Sequence, residues 1–597
     1  MSQRFDVFST GRSVDKFSLY ESGEYLLPFH LRPCRIRILM LVDATISFSH
    51  AYFGLSAVLD TLRDNPEFFV KFDITRAHRQ TDLFKPDPAT QPVQHERYGP
   101  HFENFRFDQL GFDINKYDQV WVFGFYGEGG PNPLSDAELE ILSRWMDQGG
   151  GLFATGDHYN LGAALCSRIP RARTMRKWTV AQGVPLPTGL NRHDTLLKGH
   201  DDIYTFDDES DDVPMPIRPR YYPLWSWSPF RHRRAPHPIL CGTDGVINIL
   251  PDHPHEGQVF EDADVVLTQT IDFGTYTGKP EYPTVSGVQT RPEVIAHASV
   301  LNDHTNTSDH NKFAANARTF GVIGAYNGHA ANVGRVVVDS TWHHWFDVNL
   351  TGRPVVNLDS EPHDATNPKT LGFFASAAGT TAFARIQNYF RNVAMWLAGK
   401  AKQRCMFLRA TWGCILRYPL IERLRTDLAI WELGESARDV IGRRAGQCTL
   451  RWWIIDIFPL ELREIFEERP IPDPDPCLTC PPFELFEIYA LGGITQQLLT
   501  LAYRQEAKNA SVIDETAIAA SFVEGLNAGV KQMNATFTKS LNRSREFSRK
   551  ATALSRVEVT GKLFLETETP ARKEPVQTTK PSGAKPKSSK KTRKSRR

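Results

Sequence analysis

The stretch "LSDAELEILSRWMDQGGGLFATGDHYN", residues 134–160, decides the fold. Ser135 and Glu138 have the spacing of a capping box, in which each side chain bonds the other residue's backbone N–H. Leu134 and Leu139 stand at the two positions of a hydrophobic staple. Leu139, Leu142, Trp145 and Met146 then recur at steps of three and four, so one side of the helix is apolar. Gly149, Gly150 and Gly151 stop it. The following "GLFAT" reads as a strand that ends in Gly156, Asp157 and His158. Just upstream, "QVWVFGF" (119–125) is apolar on both faces, as a central parallel strand must be.

The same alternation extends outward. "IRILMLV" (36–42) reads as a strand ending at Asp43, and Leu55, Val58, Leu59 and Leu62 give the next segment a helical face. "FVKFDITRA" (69–77) is a second strand. Strand and helix in turn are the pattern of a doubly wound, mainly parallel α/β sheet. After a long insertion (about 170–260), strands are expected at "DVVLTQ" (264–269), "VIAHASV" (294–300), "FGVIGAY" (320–326) and "GRVVVDST" (334–341). A helix over 381–399 closes the domain, with Phe383, Ile386, Phe390, Val393 and Leu397 on one side. This gives an N-terminal extension (1–34), an α/β domain (35–400), a helical region (403–540) and a basic tail (541–597). The helical region is split by a proline-rich linker at 470–482. The tail ends "KPSGAKPKSSKKTRKSRR", lacks apolar periodicity and is expected to be disordered.

The chain has 597 residues, 41% of them hydrophobic, which suffices for a sizeable core. Its 70 basic and 69 acidic residues nearly cancel, so global charge points to no nucleic acid or acidic partner. No basic segment followed by an apolar stretch opens the sequence, and no run of about 18 apolar residues occurs, so neither a signal peptide nor a membrane span is expected. Eight scattered cysteines suggest reduced thiols in a cytoplasm. Cys477 and Cys480 have CxxC spacing but no second pair for zinc, and flanking prolines forbid a thioredoxin-like helix start. They read as a structural or incidental pair.

Ligands of open α/β sheets bind in the crevice at the carboxyl ends of the strands. There the sequence delivers Asp43, then Asp157 and His158, then Asp339, His343 and His344. The segment "LPDHPHEG" (250–257), shaped by proline and glycine, adds Asp252, His253, His255 and Glu256. Histidine with carboxylate suits zinc, manganese or iron and a nucleophilic water; without metal the same residues form a general acid/base pair. Each residue also has a plainer reading: an Asp after a strand can cap a helix, and "TWHHW" can simply pack its tryptophans. Arg171, Arg173 and Arg176 closely follow the 156–158 turn and can hold an anionic substrate, or form a protein interface or a solvated loop face.

From "YDQVWVFGFYGEGG" (117–130) to "GLFATGDHYNLGAAL" (151–165) the chain resembles the class I glutamine amidotransferase-like superfamily, particularly its ThuA-like branch. The resemblance covers about residues 35–400 and implies a flavodoxin-like fold with a site at the 156–158 turn. In true amidotransferases that turn carries a nucleophilic cysteine. Here it holds Gly156, Asp157 and His158, and Cys166 lies a helix away, so glutamine hydrolysis through a thioester is not implied. A histidine near the last strand is common in such folds, and His343 or His344 stands at a comparable place.

These readings make the chain a metal-assisted hydrolase or related acid/base enzyme acting on a small polar or carbohydrate-like substrate. Asp157, His158, His343 and His344 are the expected catalytic residues. His158, His253, His255, Glu256 and His343 are the expected ligands of a divalent metal, and Asp43, Arg171, Arg173 and Arg176 the expected substrate contacts. The alternative is a noncatalytic scaffold that uses the helical region and the basic tail for assembly or for weak contact with nucleic acid or anionic surfaces.

Overall fold

The computed structural model describes residues 31–50, 53–81, 100–157, 160–183, 214–224, 233–243, 245–251, 257–300, 318–351, 373, 377–417, 428–457, 483–506 and 514–554. Nine of the described strands pair into one sheet: β1 (Cys34–Val42), β2 (Val70–His78), β3 (His101–Phe102), β4 (Gln119–Phe123), β5 (Gly151–Thr155), β6 (Arg218–Pro219), β7 (Glu293–Val300), β8 (Arg318–Tyr326) and β9 (Val336–Asp339). Their order is β3-β2-β1-β4-β5-β9-β8-β7-β6. The first six in that order run parallel, and the last three join antiparallel. The chain moves from β1 outward through β2 to β3, then returns to the other side of β1 for β4. In open α/β sheets ligands bind where the order reverses in this way, here between the carboxyl ends of β1 and β4.

Period-two burial covers both faces of the sheet. Ile36, Ile38, Met40 and Val42 of β1 face one core with the helices α1 (Ser56–Arg63) and, later in the chain, 377–397. Leu39 and Leu41 face the other core, with Leu139, Leu142 and Met146 of α2 (Asp136–Asp147) and the short helices α3 (Ala163–Cys166) and α4 (Ala172–Met175). The capping box of α2 forms as its spacing implies: Glu138 N donates to Ser135 Oγ at 3.2 Å, and Ser135 N donates to Glu138 Oε2 at 3.0 Å.

After β9 come α5 (Asp347–Leu350), α6 (Ala377–Leu397), α7 (Lys400–Arg417), α8 (Ile430–Ala445), α9 (Gln447–Ile457), α10 (Phe483–Glu506) and α11 (Glu515–Leu554). The first core continues into them without a break: Trp412, Leu433, Trp453 and Leu491 belong to the same buried cluster as β1. Residues to Thr536 make up one compact unit, and a second begins at Phe537. Two local readings change. "DVVLTQ" is not a strand; the chain makes a turn at Asp262–Asp264 and first becomes extended at Thr270. Asp262 holds that turn by accepting from Val294 N at 2.7 Å, which leaves Val265 to pack as a buried loop side chain. Helix α11 passes residue 540 and reaches Leu554, with an i,i+4 pair between Glu546 and Lys550 at 2.8 Å; residues 555–597 lie outside the described residues.

Two of the eight cysteines are not free thiols. Cys34 and Cys405 form a disulfide, with Cα atoms 6.1 Å apart, that ties β1 to α7 across 371 positions of sequence. Cys166, Cys241, Cys414 and Cys448 are free and buried, and Cys477 and Cys480 lie outside the described residues. Closing so long a loop stabilises a fold by about 2–4 kcal/mol. Urea unfolding of a Cys34→Ala/Cys405→Ala variant should show a loss of that size, and an unchanged midpoint would mean that the bond is absent. Among the described residues no helix is long and apolar enough to cross a membrane.

Candidate active site

Register aligns the ends of the parallel strands. His78, Val42, Phe123, Thr155 and Asp339 pair in one line across β2, β1, β4, β5 and β9. The next residues of each strand therefore share one rim. Two glycine turns let β4 and β5 close there: a Cβ at Gly124 would overlap the Gly162 backbone, and one at Gly156 would overlap the Leu161 carbonyl.

Asp43 sits where the strand order reverses, buried, and accepts from Phe125 N at 2.6 Å. Burial raises its pKa to about 7, although the backbone donors of Phe125 and Tyr126 oppose the shift. At neutral pH this carboxyl can therefore either give or take a proton. Between about pH 4 and pH 7 the folded state keeps a proton that the unfolded carboxyl, with its ordinary value of 3.8, has released. Stability must then fall as pH rises through that window, by about 1.4 kcal/mol per unit of displacement. Asp43→Asn should unfold at higher urea than the parent at pH 7 and equally at pH 3.5; parallel curves at both would remove the titration from Asp43.

At the ends of β5 and β9 three segments meet. Asp157 Oδ1 accepts from Thr341 Oγ1 at 2.6 Å, and its Oδ2 lies 3.4 Å from His343 Nε2. The same threonine caps the single turn Trp342–His344 by accepting from His343 N at 3.0 Å. On the far side of the ring, His343 Nδ1 is 2.9 Å from Asn349 Oδ1. With that oxygen accepting, Nδ1 carries a hydrogen, and a second proton must lie between Nε2 and Asp157 for the pair to attract. Asn349, His343, Asp157 and Thr341 are all buried and form one chain of polar contacts.

His344 has a different task. Its Nδ1 is 2.8 Å from Asp339 Oδ1, while Asp339 Oδ2 accepts from Trp345 Nε1 at 2.9 Å and from Tyr389 OH at 2.7 Å. Four buried groups satisfy one another, which locks β9 to α6. Trp342 roofs the rim and stacks on Phe125, with ring centroids 5.0 Å apart and planes at 6°. Asp347 caps the first turn of α1 from far along the chain, accepting from Ala57 N at 2.8 Å and from Ser56 Oγ at 2.8 Å.

The arginines divide. Arg176 lies at the rim, where its Nη2 donates to the carbonyls of Asp157 and Ser340, each at 2.6 Å. Arg171 and Arg173 face the buried Glu281 rather than the crevice. Arg171 also pairs with Asp147, which ends α2 at the opposite edge of the sheet, and Arg173 bonds Glu281 Oε2 at 2.6 Å.

His158, Asp252, His253, His255 and Glu256 lie outside the described residues. The described flanks of the 252–256 segment do reach this rim. The strand Ile249–Pro251 packs against the Trp342–His344 turn, and a Cβ at Gly257 would run into the Arg176 guanidinium and the Ser340 carbonyl. Among the described residues no group of three or more His, Cys, Asp or Glu could hold a metal ion.

No family model, no curated protein and no solved structure matches this chain. Two of the site's members, Asn349 and Tyr389, are ordinary residue types with no motif spacing and carry no marker in the sequence. Thr341, two positions before His343 at the start of a turn, has the position of a cap, and that was the one available signal.

Proposed function

We propose that the protein is a hydrolase-class acid/base enzyme acting on a small polar or carbohydrate-like substrate at the carboxyl edge of the sheet. The observation that carries this reading is His343 held between Asn349 and Asp157, with Asp43 at the neighbouring crevice. Strand spacing of about 4.8 Å puts Asp43, two strands over, roughly 10 Å from the Asp157 turn. The end of β4, at Gly124 and Phe125, lies between the two groups, so a substrate would have to reach both across that strand end. In this reading Asp157 and His343 share the proton that moves, Asn349 fixes the ring, and Asp43, near half-protonated at neutral pH, serves the second transfer.

A scaffold of the flavodoxin-like, class I glutamine amidotransferase-like kind is part of the proposal. The order β2-β1-β4-β5-β9 follows that scaffold's 2-1-3-4-5 pattern. The nucleophilic cysteine of that superfamily has no counterpart at the turn, and Cys166 is buried with its thiol pushed far above the usual range by burial. The described residues do not by themselves fit a divalent metal, because His343 and Asp157 supply two donors and His344 is engaged by Asp339. A metal-assisted form would need donors from His158, His253, His255 or Glu256.

The test is a panel of chromogenic glycosides, esters and amides assayed with the parent and with Asp157→Asn, alongside elemental analysis of both proteins. Turnover on one substrate class that Asp157→Asn removes supports the reading. Turnover that survives in a folded Asp157→Asn variant sinks it.

A further inference from the structure

The opposite edge of the sheet holds a cavity of about 490 Å³ at the amino ends of β4, β5 and β9, lined in part by Arg37, Asp118, His329, Asn332, Lys400 and Lys402. Helix α7 begins at its wall. The residue before it, Gly399, has no side chain to cap the first turn, and that turn carries Lys400 and Lys402 with no acidic residue. A helix N-terminus bears positive partial charge and favours carboxylates, so two lysines there work against the helix. Asp118 offsets part of this: it accepts from Arg37 Nε at 3.1 Å and from Arg37 Nη2 at 3.0 Å, and it faces Lys402 Nζ at 3.5 Å. Lys400 Nζ donates to the neutral Asn332 Oδ1 at 2.7 Å. Asp118 thus meets two cations, Arg37 and Lys402, beside the helix N-terminus.

A second observation is independent of the helix. His329 lines the cavity at 1% exposure; its Nδ1 faces Asp456 Oδ2 at 3.6 Å, while its Nε2 has no hydrogen-bond partner among the described residues. A buried polar atom left in that state costs stability until something bonds it.

We propose that this cavity binds a phosphate group, free or as the monoester of a small molecule, with the first turn of α7, Lys400, Lys402 and Arg37 holding its charge and His329 Nε2 meeting its hydroxyl. The chemistry of helix N-termini toward phosphate supports the choice. Because the five residues of β4 span about 16 Å at 3.3 Å each, a ligand here is remote from Asp157. The site therefore stands apart from the proposed acid/base chemistry, and either can fail without the other.

Isothermal titration of the full chain with inorganic phosphate and with glycerol 1-phosphate, each against sodium chloride at equal ionic strength, tests it. Saturable binding is expected with phosphate; tighter binding of glycerol 1-phosphate identifies the ester as the ligand, and equal binding the free anion. Lys400→Gln/Lys402→Gln should weaken binding about tenfold or more, while Lys279→Gln, an exposed cation on a distant hairpin, should leave it unchanged. Asp118→Asn should tighten binding about fivefold, an outcome that damage to the fold cannot produce. No heat beyond the chloride control, undiminished binding in the double lysine variant, or weaker binding in Asp118→Asn would each overturn the proposal.

Discussion

His343→Gln should lower kcat on the substrate class that the panel identifies by about 10²–10⁴-fold, the usual contribution of a positioned acid/base group. The glutamine keeps a polar tip near Asp157 but cannot carry a shared proton. KM should change little, because the ring is buried at 2% exposure between Asn349 and Asp157 and, in the proposed role, handles the proton rather than the substrate body. Asn349→Ala should give a smaller loss of kcat and move the pH profile, since the ring keeps its carboxylate but loses the acceptor that orients it. Steady-state kinetics across pH with both variants checks this. Equal losses with unmoved profiles would indicate general damage to the rim rather than proton handling.

The second large effect concerns stability. Glu138→Ala should cost about 3–5 kcal/mol, because it strips the carboxylate from a buried pair. Glu138 and Arg79 are each 1% exposed and bonded at 2.6 Å, so the change leaves a buried guanidinium without its counter-charge. The same change removes one of the two bonds of the α2 capping box, the one that Glu138 Oε2 accepts from Ser135 N. Burial pushes the Glu138 carboxyl up, but the Arg79 hydrogen bond and charge and the backbone donors of Ser135 and Phe107 outweigh it, so its pKa ends below the ordinary value of 4.5. A lowered acid pKa contributes stability above the unfolded value that disappears as pH falls through the folded one. Urea unfolding at pH 7 and pH 3 measures both parts. The gap between parent and variant should be largest at pH 7; a gap that is constant with pH would assign the loss to packing.

Glu138 shows how much a local pattern can reveal. Its spacing from Ser135 exposes the cap, since both partners lie within one turn, whereas Arg79 is 59 positions away and carries no mark in the sequence. The sheet was legible for the same reason: β1, β4 and β5 are short apolar runs whose burial on both faces needs no knowledge of their neighbours. "DVVLTQ" misled because its valines and leucine satisfy the same composition while Asp262 fixes a turn. At the site, Asp43, Asp157 and His343 could be placed because strands end there. The basic cluster could not be divided by sequence: Arg171 and Arg173 look like Arg176, and only Glu281, more than 100 positions onward, separates their roles. The disulfide was hidden likewise, since Cys34 and Cys405 are adjacent only after the helical region packs on β1.

Histidine-selective ¹⁵N NMR of the full chain tests the central claim most directly. At neutral pH the His343 ring should show Nδ1 protonated, with a second proton at Nε2 held by Asp157, and Asp157→Asn should remove that second proton while leaving the Nδ1 signal toward Asn349 in place. A His343 resonance that titrates alike in the parent and in Asp157→Asn would show that the two side chains do not share a proton, and the acid/base reading would fall with it.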